Sequence, residues 1–519
     1  MKINRSIILP LTGMAAVSCN SAEDAMPNII YVFPDQFRIS SLAFWDSPEY
    51  EGVVGWKADP VHTPNLDGFA GESLVLSSAV STCPLSSPHR GMLLTGMYPE
   101  RNGVTLNCNS LRPASTLRPD ATCISDVLDA AGYFCGYIGK LHAETPMKNN
   151  PDNPGHYVSD SNPEWDAYTP PERRHGFRYW YSYGTFDVHK NPHYWDTEGV
   201  RHDPHEYSVK HETDKAIEFL RNRNGERDGN KPFFLMLAYN PPHSPYGSLD
   251  DCMEEDYSLY RDLDYSELYV RPNADTTLSK APAARYYFAN VTGVDREFGR
   301  LLAELKRLGL DRNTIVIFTS DHGETMCSHG TYDPKNSIYA ESYCVPYMIR
   351  YPGRIRHRVD STMLSTTDIM PTLLGLAGLE DMIPDSAEGL DLSPVFLENG
   401  RECTVPDATL YIRNLDGETG EDGKVHGIFP EARGVKTDRY TMEIAITRDR
   451  KLARVLLFDD RLDPYQINNI PYMDNPELFT GLCGILSRKL KESNDIWYRE
   501  GIMQQLLPTG AEVPGEPCE

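Results

Sequence analysis

Thr314-Ile315-Val316-Ile317-Phe318-Thr319-Ser320-Asp321-His322-Gly323 is an apolar, β-branched run that ends abruptly in Ser-Asp-His-Gly. Continuous apolar character without alternation reads as a strand buried on both faces. Such strands belong to parallel sheets covered by helices, where ligands bind outside the carboxyl ends of the strands. Just upstream, Val291, Val294, Phe298, Leu301, Leu302, Leu305 and Leu308 form a long helical stripe. The same order recurs along the first two-thirds of the chain. Asn28 to Phe33 reads as a buried strand, and Thr63-Pro64-Asn65-Leu66 as a helix start with Thr63 as cap. Ile124, Val127, Leu128 and Ala131 share a helical face that stops at Gly132, and Tyr133 to Ile138 follows as a strand. Lys215 to Arg221 reads as a helix and Pro232 to Tyr239 as a strand. This alternation predicts an α/β fold with a large, mostly parallel central sheet flanked by helices. After Gly378 the segments shorten, with Gly, Asp and Pro between them. The expected division is a leader over 1–25, a main N-terminal α/β domain over 26–379, and a smaller C-terminal α+β subdomain with an antiparallel sheet over 380–519.

The chain has 519 residues and a formal net charge of −25. That balance argues against nucleic acid as a partner, and an anionic substrate needs a local cationic site. At the N-terminus, Lys2 and Arg5 precede a small, apolar stretch from Ile7 to Ser18 and then Cys19, the layout of a signal peptide. Ala16-Val17-Ser18-Cys19 is close to a bacterial lipobox, so lipidation of Cys19 is expected, with location in the periplasm or anchored at the outer membrane. The apolar run is too short and broken to span a bilayer. Ten of the 11 cysteines remain once Cys19 is set aside, an even number that permits disulfides in an exported chain.

Four polar motifs follow strand candidates at their carboxyl ends. Phe33 leads to Asp35-Gln36, Ile138 to Gly139-Lys140-Leu141-His142, Tyr239 to Asn240-Pro241-Pro242-His243, and Phe318 to Ser320-Asp321-His322-Gly323. Parallel strands bring these groups to one cleft. Asp35, Gln36 and Asp321 are oxygen donors suited to a hard divalent cation, with His322 an unusual companion. A fifth motif, Ser86-Ser87-Pro88-His89-Arg90-Gly91-Met92-Leu93-Leu94-Thr95-Gly96, reads locally as a helix start. Ser86 or Ser87 would cap it, with Pro88 in the first turn.

Together these motifs resemble type I, formylglycine-dependent sulfatases of the alkaline phosphatase superfamily. The likeness continues through Pro242-His243-Ser244-Pro245, Ser328-His329-Gly330, Lys335, Glu341-Ser342 and Thr367-Asp368-Ile369, and covers roughly residues 27 to 470. In that family a maturase oxidises Cys or Ser at the first motif position to formylglycine (3-oxoalanine), whose hydrate attacks the sulfate ester. The resemblance implies that Ser86 is the modified nucleophile. It implies a Ca2+ ion held by Asp35, Gln36, Ser86, Asp321 and His322. Arg90, Lys140 and His142 would surround the hydrate, and His243 and Lys335 would bind sulfate, with His243 protonating the leaving alcohol. His329 would line the pocket. Gln36 stands where a second Asp is common and His322 where Asn is frequent, which marks a subgroup. His89 stands where Ser or Ala is common, which bears on recognition by the maturase. Serine at position 86 implies a maturase that works without oxygen.

The expected activity is hydrolysis of sulfate esters on carbohydrate, with galactose or N-acetylgalactosamine sulfates as the units. Residues 146–212 hold many aromatic side chains and little periodicity. Aromatics at this density serve packing, but sugar faces also stack on them, and His193 and Trp195 are the candidates for carbohydrate contact. Two alternatives stand beside this reading: a phosphate or phosphonate ester hydrolase of the same superfamily, and a lipoprotein that binds sulfated glycan with Ser86 unmodified.

Overall fold

The computed structural model describes residues 26–146, 163–398, 401–419 and 425–506; the leader with Cys19 lies outside them. One sheet is built from β1 (Asn28–Val32), β2 (Leu74–Leu76), β3 (Phe134–Lys140), β4 (Tyr179–Tyr183), β5 (Tyr194–Asp196), β6 (Arg201–His202), β7 (Phe233–Ala238), β8 (Thr314–Thr319), β9 (Tyr347–Arg350) and β10 (Arg358–Asp360). Its order is β10-β2-β9-β8-β1-β7-β3-β4-β5-β6. The central run β8-β1-β7-β3-β4 is parallel throughout. β9 is antiparallel to both β8 and β2, and β5 to both β4 and β6, so the sheet is mixed at its flanks.

Strand residues alternate between two cores, as the pleat requires. Ile30, Val32, Leu235, Leu237, Val316 and Phe318 pack on one face against the helices Ser208–Arg221 and Ala284–Arg307. Ile29, Tyr31, Phe234, Met236, Ile315 and Ile317 pack on the other, against the helices Ser86–Thr95, Ile124–Ala130 and Ile369–Leu376. The stripe read over 291–308 is the buried face of the long helix, with Leu302 and Leu308 partly covered at its margin. Each strand is therefore covered on both sides, which is why these runs carry no polar alternation.

Farther along come β11 (Thr409–Arg413), a ribbon of β12 (Asp416–Thr419) and β13 (Val425–Phe429), then β14 (Glu431–Lys436), β15 (Tyr440–Ile446) and β16 (Leu452–Asp459). β11, β14, β15 and β16 form an antiparallel sheet in that order. The helix Pro476–Glu492 buries Leu482, Cys483, Leu486 and Leu490 against it. The same core takes in Cys83, Leu85 and Met92, while Leu93 and Leu94 belong to the core of the large sheet. The Ser86–Thr95 helix is thus wedged between the two sheets with every residue buried, which fixes Ser86 in place.

Two local expectations are corrected. Neither Ser86 nor Ser87 caps that helix: Leu85 is the N-cap residue, and the Ser87 hydroxyl accepts the Cys108 N–H at 3.0 Å. Thr63 is the N-cap residue of the helix Pro64–Ala70, as read, but its hydroxyl donates to Asp67 instead of accepting a backbone N–H of the first turn. The Leu66 and Asn65 N–H groups are met by Asp295 of the long helix, at 2.7 and 3.3 Å. The nine cysteines among the described residues are free thiols, and no helix among those residues is long and apolar enough to cross a membrane.

Candidate active site

The carboxyl ends of β8, β1, β7 and β3 deliver Asp321 and His322, Asp35 and Gln36, Asn240 and His243, and Lys140 to one place. Local backbone geometry helps. Gln36 adopts a φ of 65°, and its N–H donates to Asp321 Oδ1 at 3.0 Å. Gly139 has a φ of 97°, and a Cβ there would lie 2.2 Å from the Ala238 carbonyl oxygen, so only glycine lets β3 pass β7 so closely before Lys140.

Arg90, on the wedged helix, ties the floor together. Its Nε and Nη2 donate to Asp321 Oδ2 at 3.2 and 3.1 Å, Nη2 to Asp35 Oδ2 at 3.0 Å, and Nη1 to the Lys140 carbonyl at 2.6 Å. Lys140 Nζ lies 2.8 Å from Asp35 Oδ2 and donates to Asn240 Oδ1 at 3.1 Å. All of these side chains are buried. Burial opposes ionisation of Asp35, yet Lys140, His243, Arg90 and His322 hold it well below the usual carboxylate range. Burial and the adjacent Asp35 carboxylate push Asp321 up to about 7.

Ser86 is the first residue of its helix and points into this floor. Its hydroxyl lies 3.0 Å from His322 Nε2 and receives Lys335 Nζ at 3.3 Å. His322 Nδ1 donates to the Gly323 carbonyl at 3.0 Å, which leaves Nε2 with a lone pair facing Ser86. Lys335 Nζ also donates to His243 Nε2 at 2.9 Å, while His243 Nδ1 donates to the Ser244 carbonyl at 2.7 Å. Burial, then Lys140 and Lys335, lower His243. His142 donates from Nε2 to the Cys108 carbonyl at 3.2 Å, and its Nδ1 is buried without a protein partner. Burial, Lys140 and Arg90 hold it well below its ordinary value, so it is neutral.

The donor set fits a hard cation. One ligand atom each from Asp35, Asp321 and His322 lies within 4.8 Å of the others, and all three residues are buried. Arg90 and Lys140 occupy Asp35 Oδ2, while Oδ1 is buried with no hydrogen-bond partner. Gln36 Nε2 donates to Glu324, and Gln36 Oε1 is likewise buried and unpartnered. Arg90 and Lys140 balance the two carboxylates, but two buried oxygen acceptors remain without a donor, and a calcium ion would satisfy them.

A cleft of about 350 Å³ opens above Ser86, Lys140, His142 and His243. Its wall brings in residues that sequence reading missed: Asn107, Glu164, Trp165, Asp166, Thr185 and Asp187. Asp187 Oδ1 accepts from Asn240 Nδ2 at 3.1 Å and lies 3.4 Å from His243 Nδ1. A second cavity of about 460 Å³, between Arg101, Arg118 and Arg499, shares none of these groups.

Three expected substrate contacts lie elsewhere. His193 is 1% exposed and donates to Asp166 Oδ2 at 2.8 Å, one layer behind the cleft wall. Trp195 is 2% exposed because β5 joins the sheet beside β4 and buries it against Tyr168 and His193. His329 stacks on Tyr339 at 3.6 Å between ring centroids and donates to Glu341 at 3.1 Å, in a network with Arg271 and Asn273 that is separate from the cleft lining.

Comparison with known proteins agrees with this geometry. The family model described as Sulfatase matches residues 27–379, and one described as N-sulphoglucosamine sulphohydrolase, C-terminal, matches residues 327–494. An endo-4-O-sulfatase of Bacteroides thetaiotaomicron is 56% identical over 504 residues, covering 96% of this chain and 99% of the relative. An ulvan-active sulfatase of Formosa agariphila is 32% identical, over 91% of this chain and 83% of its own length. A solved Bacteroides thetaiotaomicron structure, described under the metabolism of multiple glycosaminoglycans, superposes with a TM-score of 0.90 at 57% identity, over 93% of this chain and 100% of that one.

Proposed function

This chain belongs to the sulfatase family and is a sulfuric ester hydrolase; from that premise we propose that it removes 4-O-sulfate groups from within glycosaminoglycan-type chains. N-acetylgalactosamine and galactose sulfates are the foremost units. The nucleophile is a formylglycine made from Ser86 by an oxygen-independent maturase, beside a calcium ion held by Asp35, Gln36, Asp321 and His322. The 4-position and the internal mode of attack draw on the 56% identical relative. The observation that carries the chemistry is Ser86 Oγ set between His322 Nε2 and Lys335 Nζ, over the Asp35–Arg90–Asp321 cluster.

The residues divide the work. Lys335 and His243 take the sulfate oxygens and stabilise charge spreading over them. His243, oriented by its Nδ1 bond to Ser244, accepts from Lys335 at Nε2, and this pair would relay a Lys335 proton through Nε2 to the leaving sugar oxygen. Arg90 and Lys140 keep Asp35 ionised and, as the family likeness implies, would face the hydrate of residue 86. Neutral His142 offers Nδ1 as a proton acceptor. Bound calcium would supply positive charge that polarises the sulfate. Formylglycine hydrate would supply a geminal diol, whose second hydroxyl gives sulfate an exit that serine lacks.

Export and lipidation on Cys19 place the enzyme at a bacterial envelope, where it meets polymer. Sulfate release, after co-expression with a serine-type maturase, tests the reading. Intact 4-sulfated galactosaminoglycan should lose sulfate, and its 6-sulfated isomer should not. Release from only the 6-isomer, or only from chain ends, overturns the positional or the internal assignment. An unmatured Ser86 would leave a binding lipoprotein, which turnover excludes.

A further inference from the structure

The cleft is electrostatically two-sided. Its floor presents Lys140, His142 and His243, with Lys335 reaching Ser86. Its wall presents the carboxylates Glu164, Asp166 and Asp187, with Trp165 among them. Two of these carboxylates are committed to the protein. Glu164 accepts the N–H groups of Trp165 and Asp166, each at 3.1 Å. Asp166 accepts the Gly184 N–H at 2.9 Å and the His193 ring at 2.8 Å. Asp187 differs: it lines the cleft, its side chain is 45% exposed, and its contacts to Asn240 and His243 both use Oδ1, so Oδ2 is not engaged by them. Burial opposes its charge, but His243, Lys140 and Asn240 hold Asp187 well below the usual carboxylate range, so it is ionised. Trp165 is 37% exposed and stands edge-on to His142, 6.3 Å between ring centroids. A cleft of about 350 Å³ has the size of a pocket for one small molecule.

We propose that the sugar bearing the scissile sulfate must carry no second anionic group, and that Asp187 enforces this by accepting sugar hydroxyls and repelling sulfate or carboxylate. This inference rests on the sulfated-glycan reading of the same site and adds a rule about charge. An ionised carboxylate a few Å from a second sulfate in a partly dry cleft costs enough to lower turnover on the order of tenfold or more. A neutral hydroxyl at the same place instead gains a charge-assisted hydrogen bond.

The test compares oligosaccharides of equal length whose reactive residue carries a 4-sulfate alone or 4,6-disulfate. The mature enzyme should show at least about tenfold lower kcat/KM on the disulfated substrate. Asp187→Asn should narrow that ratio severalfold, and Asp187→Ser should do the same if the asparagine variant folds poorly. Equal kcat/KM on the two substrates with wild type, or an unchanged ratio in both variants, overturns the proposal. If another monosulfated isomer proves to be the substrate, the positional reading fails. The ratio of that isomer to its disulfated partner then decides the charge rule by the same criteria.

Discussion

The floor of the cleft and its wall are built in opposite ways. On the floor, Asp35, Arg90, Lys140, Asp321 and His322 are all buried, and each charge is held by another. They sit at the ends of the most buried strands and on a helix clamped between two sheets. On the wall, Trp165 and Asp187 are partly open to solvent and lie on irregular chain between β3 and β5. The floor is rigid because the reaction needs charges preorganised in a dry site. The wall is exposed because it must meet and release different sugars. Chemistry and substrate choice are thus separated in the fold, and substitutions in the two regions should fail differently.

The largest effect belongs to Ser86→Ala, which removes the residue that becomes the nucleophile. Sulfate release should fall by about 10⁴-fold or more, with glycan binding retained, as read by turnover and calorimetry. Arg90→Ala follows. It leaves Asp321 buried without its cation and Asp35 with Lys140 alone, so it should cost about 3–5 kcal/mol of stability as well as activity, read by denaturant unfolding.

A third prediction isolates what the floor cations do. Glu212 is as buried as Asp35 but lacks their company: Tyr194 donates to Oε1 at 2.8 Å, and Oε2 has no partner. Burial pushes Glu212 up to about 8 from 4.5, the reverse of Asp35. The folded protein therefore keeps a proton there that the unfolded chain gives up near pH 4.5. Its contribution to stability is complete below that pH and is lost as pH rises through about 8. Glu212→Gln should remove a slope on the order of 1 kcal/mol per pH unit between those limits, measured by unfolding across pH. The smallest effect belongs to the wall. Trp165→Ala should raise KM with little change in kcat, a loss of about 1 kcal/mol in kcat/KM, seen in steady-state kinetics.

This division also explains what could be read from sequence. Asp35, His142, His243 and Asp321 were legible because each follows an apolar run, and burial on both faces makes such runs unmistakable. Asp187 and Trp165 were not, because irregular chain has no period to betray its neighbours. His193 and Trp195 were misread for a related reason. A short strand rich in aromatics looks the same in sequence whether its rings face sugar or core; pairing with β4 put Trp195 in the core, with His193 buried just before it. Thr63 was read correctly as the cap position, but the carboxylate that meets the first N–H groups was hidden, since Asp295 reaches Leu66 from a helix more than two hundred residues away.

The central claim concerns Ser86, and the mass of its proteolytic peptide addresses it most directly. After co-expression with a serine-type maturase, the peptide should be lighter by two hydrogens, in a fraction that tracks sulfate release across preparations. Full turnover from protein whose residue 86 remains unmodified serine would contradict the account.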